Sequence, residues 1–184
     1  MKNMDKRTMK LVMSALFAAL NVVGTLIQIP IPTGFGYAHL GDAFVILSGV
    51  ILGPLYGGIA AGIGSGIADV ISGYAIYVPA TIVIKFLEAL IAGVIFRRFS
   101  NMEKKTKIDS QIIIAIGAFF GGIEMIVSYF LYEILLINLA ASASDAKSAI
   151  VTAAAGIPYN VVQALVAMVL AVVAYPIFKK IDIK

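Results

Sequence analysis

The sequence predicts an all-α membrane protein, a six-transmembrane-helix bundle with N- and C-termini cytoplasmic. Three observations carry this expectation. The 184 residues are 61% hydrophobic and 13% charged, with a mean hydropathy of +1.00; a soluble domain has roughly 45–50% apolar residues and about 25% charge. Apolar runs recur at the length of about 20 residues that crosses a bilayer core. Basic residues gather in segments that six spans place on one side. The composition argues against a soluble enzyme, a disordered chain and a nucleic-acid binder.

The whole chain, 1–184, reads as a single membrane-embedded domain. Spans are expected at about 11–29, 42–55, 56–72, 78–96, 111–139 and 151–178. The first is free of charge. Its apolar stretch exceeds the about 7–15 residues of a signal peptide core and ends without a small-x-small cleavage site, so it reads as a retained helix. The second and third are short and split by Gly53-Pro54, a natural helix break. The stretch from Asp42 to Ser72 could instead be one broken or re-entrant element, but six helices is the expected count. The fourth carries Lys85 and Glu88, and the fifth, long enough to tilt, carries Glu124 and Glu133.

Charge orients the bundle. Lys2, Lys6, Arg7 and Lys10 precede span one; Arg97, Arg98, Lys104, Lys105 and Lys107 join spans four and five; Lys179, Lys180 and Lys184 follow span six. Such a bias puts these segments in the cytoplasm and accounts for the net charge of +4 and pI of 9.3 without a polyanion. Some of these charges are expected on anionic lipid headgroups. The first outward loop, 30–41, has no Lys or Arg and is rich in Gly, Pro and aromatics. It is either a plain connector or a lid over a pocket open to the outside.

Helices in lipid pack closely through small residues. Gly58, Gly62 and Gly66 repeat every four positions on span three, and Ala15 and Ala19 do so on span one beside Ser14 and Ala18. Either seam could pack internally, and the second could instead dock another membrane protein. Gly64-Ser65-Gly66 lacks the further glycine of a serine-hydrolase motif, because Ile63 and Ile67 flank it.

An ionisable side chain in a span costs roughly 2.5–3.5 kcal/mol on insertion scales and so marks a candidate site. The candidates are Asp42, Asp69, Lys85, Glu88, Glu124 and Glu133, with amides Asn160 and Gln163 on span six and Asn21 and Gln28 on span one. The orientation puts Asp69, Lys85, Glu133 and Asn160 in the outer half, and Glu88, Glu124 and Gln163 nearer the middle. Lys85 and Glu88 share a helix face, as do Asn160 and Gln163. If these faces turn inward, a polar pocket opens outward, with Tyr37, Tyr74, Tyr77, Tyr129, Tyr132 and Tyr159 near its level; an interfacial tyrosine belt is the plainer alternative. Lys85 could pair with Asp69, with Glu88 or with a ligand. The sequence has no phosphate loop and no His/Cys metal cluster. With no Cys and one His, His39 beside Gly41-Asp42 suits one ligand hydrogen bond better than metal chemistry, and no cofactor is expected.

The chain resembles the substrate-binding S components of energy-coupling factor (ECF) vitamin transporters, riboflavin-type group. The residues that carry the resemblance are His39-Leu40-Gly41-Asp42, Gly53-Pro54, Gly64 to Asp69, Ser72-Gly73-Tyr74, Thr81 to Lys85, Glu88, and Pro158 to Gln163. The resemblance implies a multi-pass prokaryotic plasma-membrane protein that is not itself an enzyme. It implies capture of a B-type vitamin or precursor from outside and delivery, by toppling, through a membrane coupling (T) subunit with two cytoplasmic ATPase subunits. It implies substrate binding by Tyr37, His39, Asp42, Asp69, Tyr74, Lys85, Glu88, Glu124, Asn160 and Gln163, and partner docking through Ala15 and Ala19. Riboflavin binders carry Lys three residues after the span-six Asn, where this chain has Gln163. The HLGD stretch looks like members linked to pyridoxine (vitamin B6) or hydroxymethylpyrimidine, with riboflavin or another B vitamin as the alternative. A stand-alone proton-coupled carrier using Glu124 and Glu133 is a competing class, as are an intramembrane enzyme and a purely structural protein.

Overall fold

The computed structural model describes residues 5–30, 37–106, 109–139 and 146–179. Lys2, Lys107, Lys180, Lys184 and loop positions 31–36, on which part of the charge and lid arguments fell, lie outside the described residues. In chain order the elements are α1 (Lys6–Leu26), β1 (Gln28–Pro30), β2 (Tyr37–His39), α2 (Asp42–Leu52), α3 (Pro54–Ile71), a 3₁₀ turn (Ala75–Tyr77), α4 (Val78–Thr106), α5 (Ser110–Leu139), α6 (Ala146–Ala154) and α7 (Ile157–Phe178).

Among the described residues, five helical segments are long and apolar enough to cross a membrane: Arg7–Leu26, Pro54–Ile71, Ala75–Ser100, Ser110–Leu139 and Lys147–Phe178. The expected second span is the shorter helix α2, 11 residues long; at 1.5 Å per residue it covers about half of a bilayer core. Gly53 reverses the chain after it at a φ of +90°, a conformation that glycine adopts freely, and Pro54 opens α3 with its ring-fixed φ. The Arg97 guanidinium lies where a Gly53 side chain would be. The expected last span is broken at Ala155-Gly156 into α6 and α7.

The all-α expectation needs one addition. The first span was expected to stay helical to 29, but α1 ends at Leu26, and Gln28–Pro30 pairs antiparallel with Tyr37–His39. Pro30 and Pro32 cannot serve as helical amide donors, and β-branched Ile27 and Ile29 suit a strand. Gln28 Nε2 donates to Ser72 Oγ at 2.5 Å, fastening the hairpin to the end of α3.

The bundle interior is divided along its length. One end is an apolar core of Met13, Phe17, Leu47, Ile114, Ala171, Tyr175 and their neighbours. It joins the start of α1, the end of α2, the start of α5 and the end of α7, so the basic segments flank this end. At the other end the buried stripes turn polar: Asn21 and Thr25 follow Phe17 on α1, and Asn160 and Gln163 precede Ala167 on α7. Asn21 Nδ2 reaches Ser48 Oγ on α2 at 3.1 Å.

Small residues let the backbones approach. A Cβ on Gly58, Gly62 or Gly66 would strike Phe86 or Ile82 of α4, so this seam is internal packing. A second crossing has no repeat in the sequence: Gly49 of α2 lies on the Ala89 carbonyl of α4, and Gly93 lies on the Gly49 carbonyl. Gly49→Val therefore drives a side chain into backbone that cannot yield. Overpacking costs about 1–3 kcal/mol, to be read as a lower unfolding midpoint in detergent followed by circular dichroism. An unchanged midpoint would show that α2 and α4 are not in register here.

Candidate functional site

The polar end is organised by a buried cluster of charges. The Lys85 ammonium on α4 donates to Asp42 Oδ1 at 2.5 Å and to Glu88 Oε2, one turn along its own helix, at 3.0 Å. All three side chains are essentially sealed from solvent. Asp42 lies in the first turn of α2, where the helix dipole favours a carboxylate. Its second oxygen accepts from Gln163 Nε2 of α7 at 2.6 Å. The Tyr129 ring of α5 covers the ammonium, 5.4 Å from ring centre to Nζ, in cation–π geometry. Three helices thus meet at one aspartate, and a fourth shields the lysine.

The hairpin rests on this cluster. Gln163 Oε1 accepts the His39 backbone N–H at 2.8 Å, so one amide joins β2 to Asp42. Gly41 N–H donates to His39 Nδ1 at 3.1 Å, which leaves the ring proton on Nε2, 3.8 Å from Asp42 Oδ1. Burial, only partly opposed by Asp42, pushes the imidazole down to about 4, so it is neutral at ordinary pH. The Tyr37 hydroxyl donates to Asp69 Oδ1, and burial above all, with Asp69 beside it, pushes that phenol up and keeps its proton in place.

Between hairpin and bundle lies a cavity of about 390 Å³ including its open mouth. Its wall is Tyr37 and His39 of β2, Asp69 of α3, Tyr77, Thr81 of α4, Tyr129 and Glu133 of α5, and Asn160 and Gln163 of α7. The room left for the centre of a water-sized sphere is about 30 Å³, enough for about two waters. A larger guest pushes lining side chains aside. Tyr37, Tyr74, Tyr77 and Tyr132 form a chain of ring contacts 4.8–6.1 Å apart at the rim. Two buried polar atoms here, Asp69 Oδ2 and Tyr77 Oη, have no hydrogen-bond partner among the described residues. Buried polar atoms are rarely left this way without a reason.

The residues singled out in the sequence fall into three groups. Tyr37, His39, Asp69, Asn160 and Gln163 line the cavity. Asp42, Lys85 and Glu88 lie behind that lining and are reached through Gln163 and Tyr129. The lysine's partners are Glu88 and also Asp42, a pairing the sequence left unread; Asp69 instead meets Tyr37. Tyr74 stands one ring outside, against Tyr37. Glu124 is half-buried, accepts from Ser128 Oγ at 2.8 Å, and does not line the cavity. Gln163, expected nearer the middle, is on the cavity wall. Thr81, Tyr77, Tyr129 and Glu133 also line it; none was among the implied substrate-binding residues, although Glu133 was a candidate ionisable group and Tyr77 and Tyr129 were expected near the level of the pocket. Tyr129 and Glu133 lie one turn apart, a signal that the apolar run around them concealed.

Removing the ammonium alone leaves two carboxylates buried without their cation. Lys85→Met is therefore expected to destabilise the fold by about 3–5 kcal/mol, read as loss of the monodisperse detergent-solubilised species on heating. Full retention of stability would show that Asp42 and Glu88 do not need the lysine.

A family model described as "ECF-type riboflavin transporter, S component" matches residues 5–182. An uncharacterized protein of Pyrococcus woesei is 35% identical over 139 residues, covering 76% of this chain and 87% of that protein. In fold the chain is similar to a structure titled "Structure and mechanism of the S component of a bacterial ECF transporter". The TM-score is 0.64 at 18% identity, with 94% of this chain and 96% of that one covered. The all-α membrane bundle expected from the sequence has the S-component fold, and the chain belongs to the family of ECF-type transporter S components, the substrate-binding subunits of these membrane transporters.

Proposed function

We propose that this S component captures a small vitamin or vitamin precursor in the cavity beneath the hairpin. Delivery into the cell then proceeds through a membrane coupling subunit with two cytoplasmic ATPase subunits. The observation that carries this reading is convergence. Polar side chains from β2, α3, α4, α5 and α7 meet around one space, while the outward faces of the same helices are apolar. Pockets of this kind, mostly closed with a few aimed polar groups, suit small organic ligands. With the basic segments cytoplasmic, the cavity opens to the outside.

A hydroxymethylated pyridine or pyrimidine is the favoured substrate. With the lining side chains moved aside, its single ring can lie against the tyrosines, and its hydroxyl and nitrogen groups match Asp69, Asn160 and Gln163. Riboflavin is the second reading, favoured by the name of the matching family. The test is mass spectrometry of small molecules co-purified with the solubilised protein, followed by equilibrium binding of pyridoxine, hydroxymethylpyrimidine and riboflavin. A one-ring vitamin bound at one equivalent is the expected outcome. A tightly bound flavin would replace it with the second reading, and no bound vitamin would sink both.

The α1 surface supports a docking role for Ala15 and Ala19. Both are exposed, between Leu11, Val12, Leu16 and Val23, which are exposed as well. The neighbouring edge is occupied, since the Ala18 carbonyl lies against Gly64 of α3. Ala19→Trp is expected to leave vitamin binding intact while abolishing uptake by cells that carry the partner subunits. Undiminished uptake would show that this face meets only lipid.

A further inference from the structure

Apart from His39, the ionisable groups of the cavity wall are acidic. Asp69 and Glu133 line it, at 3% and 4% exposure, and among the described residues no Lys or Arg does. The nearest ammonium, Lys85, is occupied by Asp42 and Glu88 and covered by the Tyr129 ring, so it is withheld from a guest. His39 brings no compensating charge, because burial keeps its ring neutral. Asp69 Oδ1 accepts from the Tyr37 hydroxyl and the Thr81 hydroxyl stands beside the carboxylate, while Oδ2 is buried with no hydrogen bond of its own among the described residues. A buried acceptor in this condition costs free energy until a donor arrives. Glu133 is given its place by the break between α6 and α7: a Cβ on Gly156 would come within 3.1 Å of Glu133 Oε2. The remaining walls include the rings of Tyr37, Tyr77 and Tyr129, whose faces attract a cation.

We propose that the cavity selects a guest bearing a protonated nitrogen, held between Asp69 and Glu133 against the tyrosine rings, and rejects the carboxylated and phosphorylated forms of the same molecule. This deepens the vitamin-capture reading and rests on it. An ammonium or a protonated heterocycle supplies the donor that Asp69 Oδ2 lacks and a counter-charge for two acidic groups that no described lysine or arginine bridges. A carboxylate or phosphate in the same place meets like charge in a poorly hydrated space, the arrangement by which a site excludes a competitor. Selection falls on the free vitamin and against its phosphorylated coenzyme.

The test uses the full chain in lipid nanodiscs and two sets of probes that differ mainly in charge: pyridoxamine, pyridoxine and 4-pyridoxate, and riboflavin with riboflavin 5′-phosphate. Affinities are measured by isothermal titration at neutral pH. Pyridoxamine is expected to bind about tenfold tighter than pyridoxine, and each anionic member about a hundredfold weaker than its parent of zero net charge. Glu133→Gln and Asp69→Asn, each checked for folding by circular dichroism, are expected to shrink the pyridoxamine-to-pyridoxate ratio by about tenfold. Glu133→Gln preserves shape and serves if Asp69→Asn does not fold. An anionic member binding as well as its parent, or a ratio unmoved in both variants, overturns the charge selection while leaving vitamin capture standing. Failure of every probe, and of hydroxymethylpyrimidine beside them, to bind overturns both.

Discussion

A lysine ammonium held out of water between two carboxylates is the constraint on which the polar end of this bundle depends. Burying Lys85, Asp42 and Glu88 carries a desolvation cost of several kcal/mol per ion, and mutual attraction offsets it only in good geometry. That requirement fixes positions. Lys85 can meet Asp42 only if α2 and α4 cross closely, which Gly49, Ala89 and Gly93 permit. Asp42 can accept from Gln163 only if α7 presents its polar turn at the same level. The cluster acts as a register pin for three helices, and through the His39 amide it also seats the hairpin.

The division of the interior into an apolar and a polar end follows from the same economy of contacts. Apolar attraction between helices is weak in lipid, so close backbone approach through glycine and alanine holds the bundle together. This leaves one end free to be filled by ring and aliphatic packing around Phe17 and Tyr175. At the other end polar groups face one another and a common space in place of hydrocarbon. The carboxylates there divide their work. Asp42 and Glu88 hold the lysine behind the wall, and Asp69 and Glu133 stand on it.

Much of the fold was legible, because a charge-free apolar run and a one-sided distribution of lysine and arginine are properties of composition and order alone. The break at Gly53-Pro54 was legible for the same reason. The shortness of α2 and the break at Ala155-Gly156 were less so, since apolar composition continues through both. The hairpin was hidden: three-residue strands across a Gly/Pro loop leave no periodicity to read. In the site, Lys85 with Glu88 and Asn160 with Gln163 were visible as pairs three residues apart. The pairing of Asp42 with Lys85 was not, because it depends on how two helices are rotated about their axes. Glu124 and Glu133 looked equivalent, yet nine residues at about 100° each put them on opposite faces of α5. Glu133 shares its face with Tyr129 and reaches the cavity, whereas Glu124 bonds to Ser128.

The chain contains eight tyrosines and no tryptophan, and Tyr37, Tyr77 and Tyr129 stand on the cavity wall. Its intrinsic emission therefore reports directly on whether that space takes a guest. Titration of the nanodisc-embedded protein with pyridoxine or hydroxymethylpyrimidine, corrected for the vitamin's own absorbance, is expected to change tyrosine fluorescence saturably at one equivalent. A strictly linear response to every vitamin tried, from protein that is folded and monodisperse, would contradict an enclosed binding chamber at the polar end.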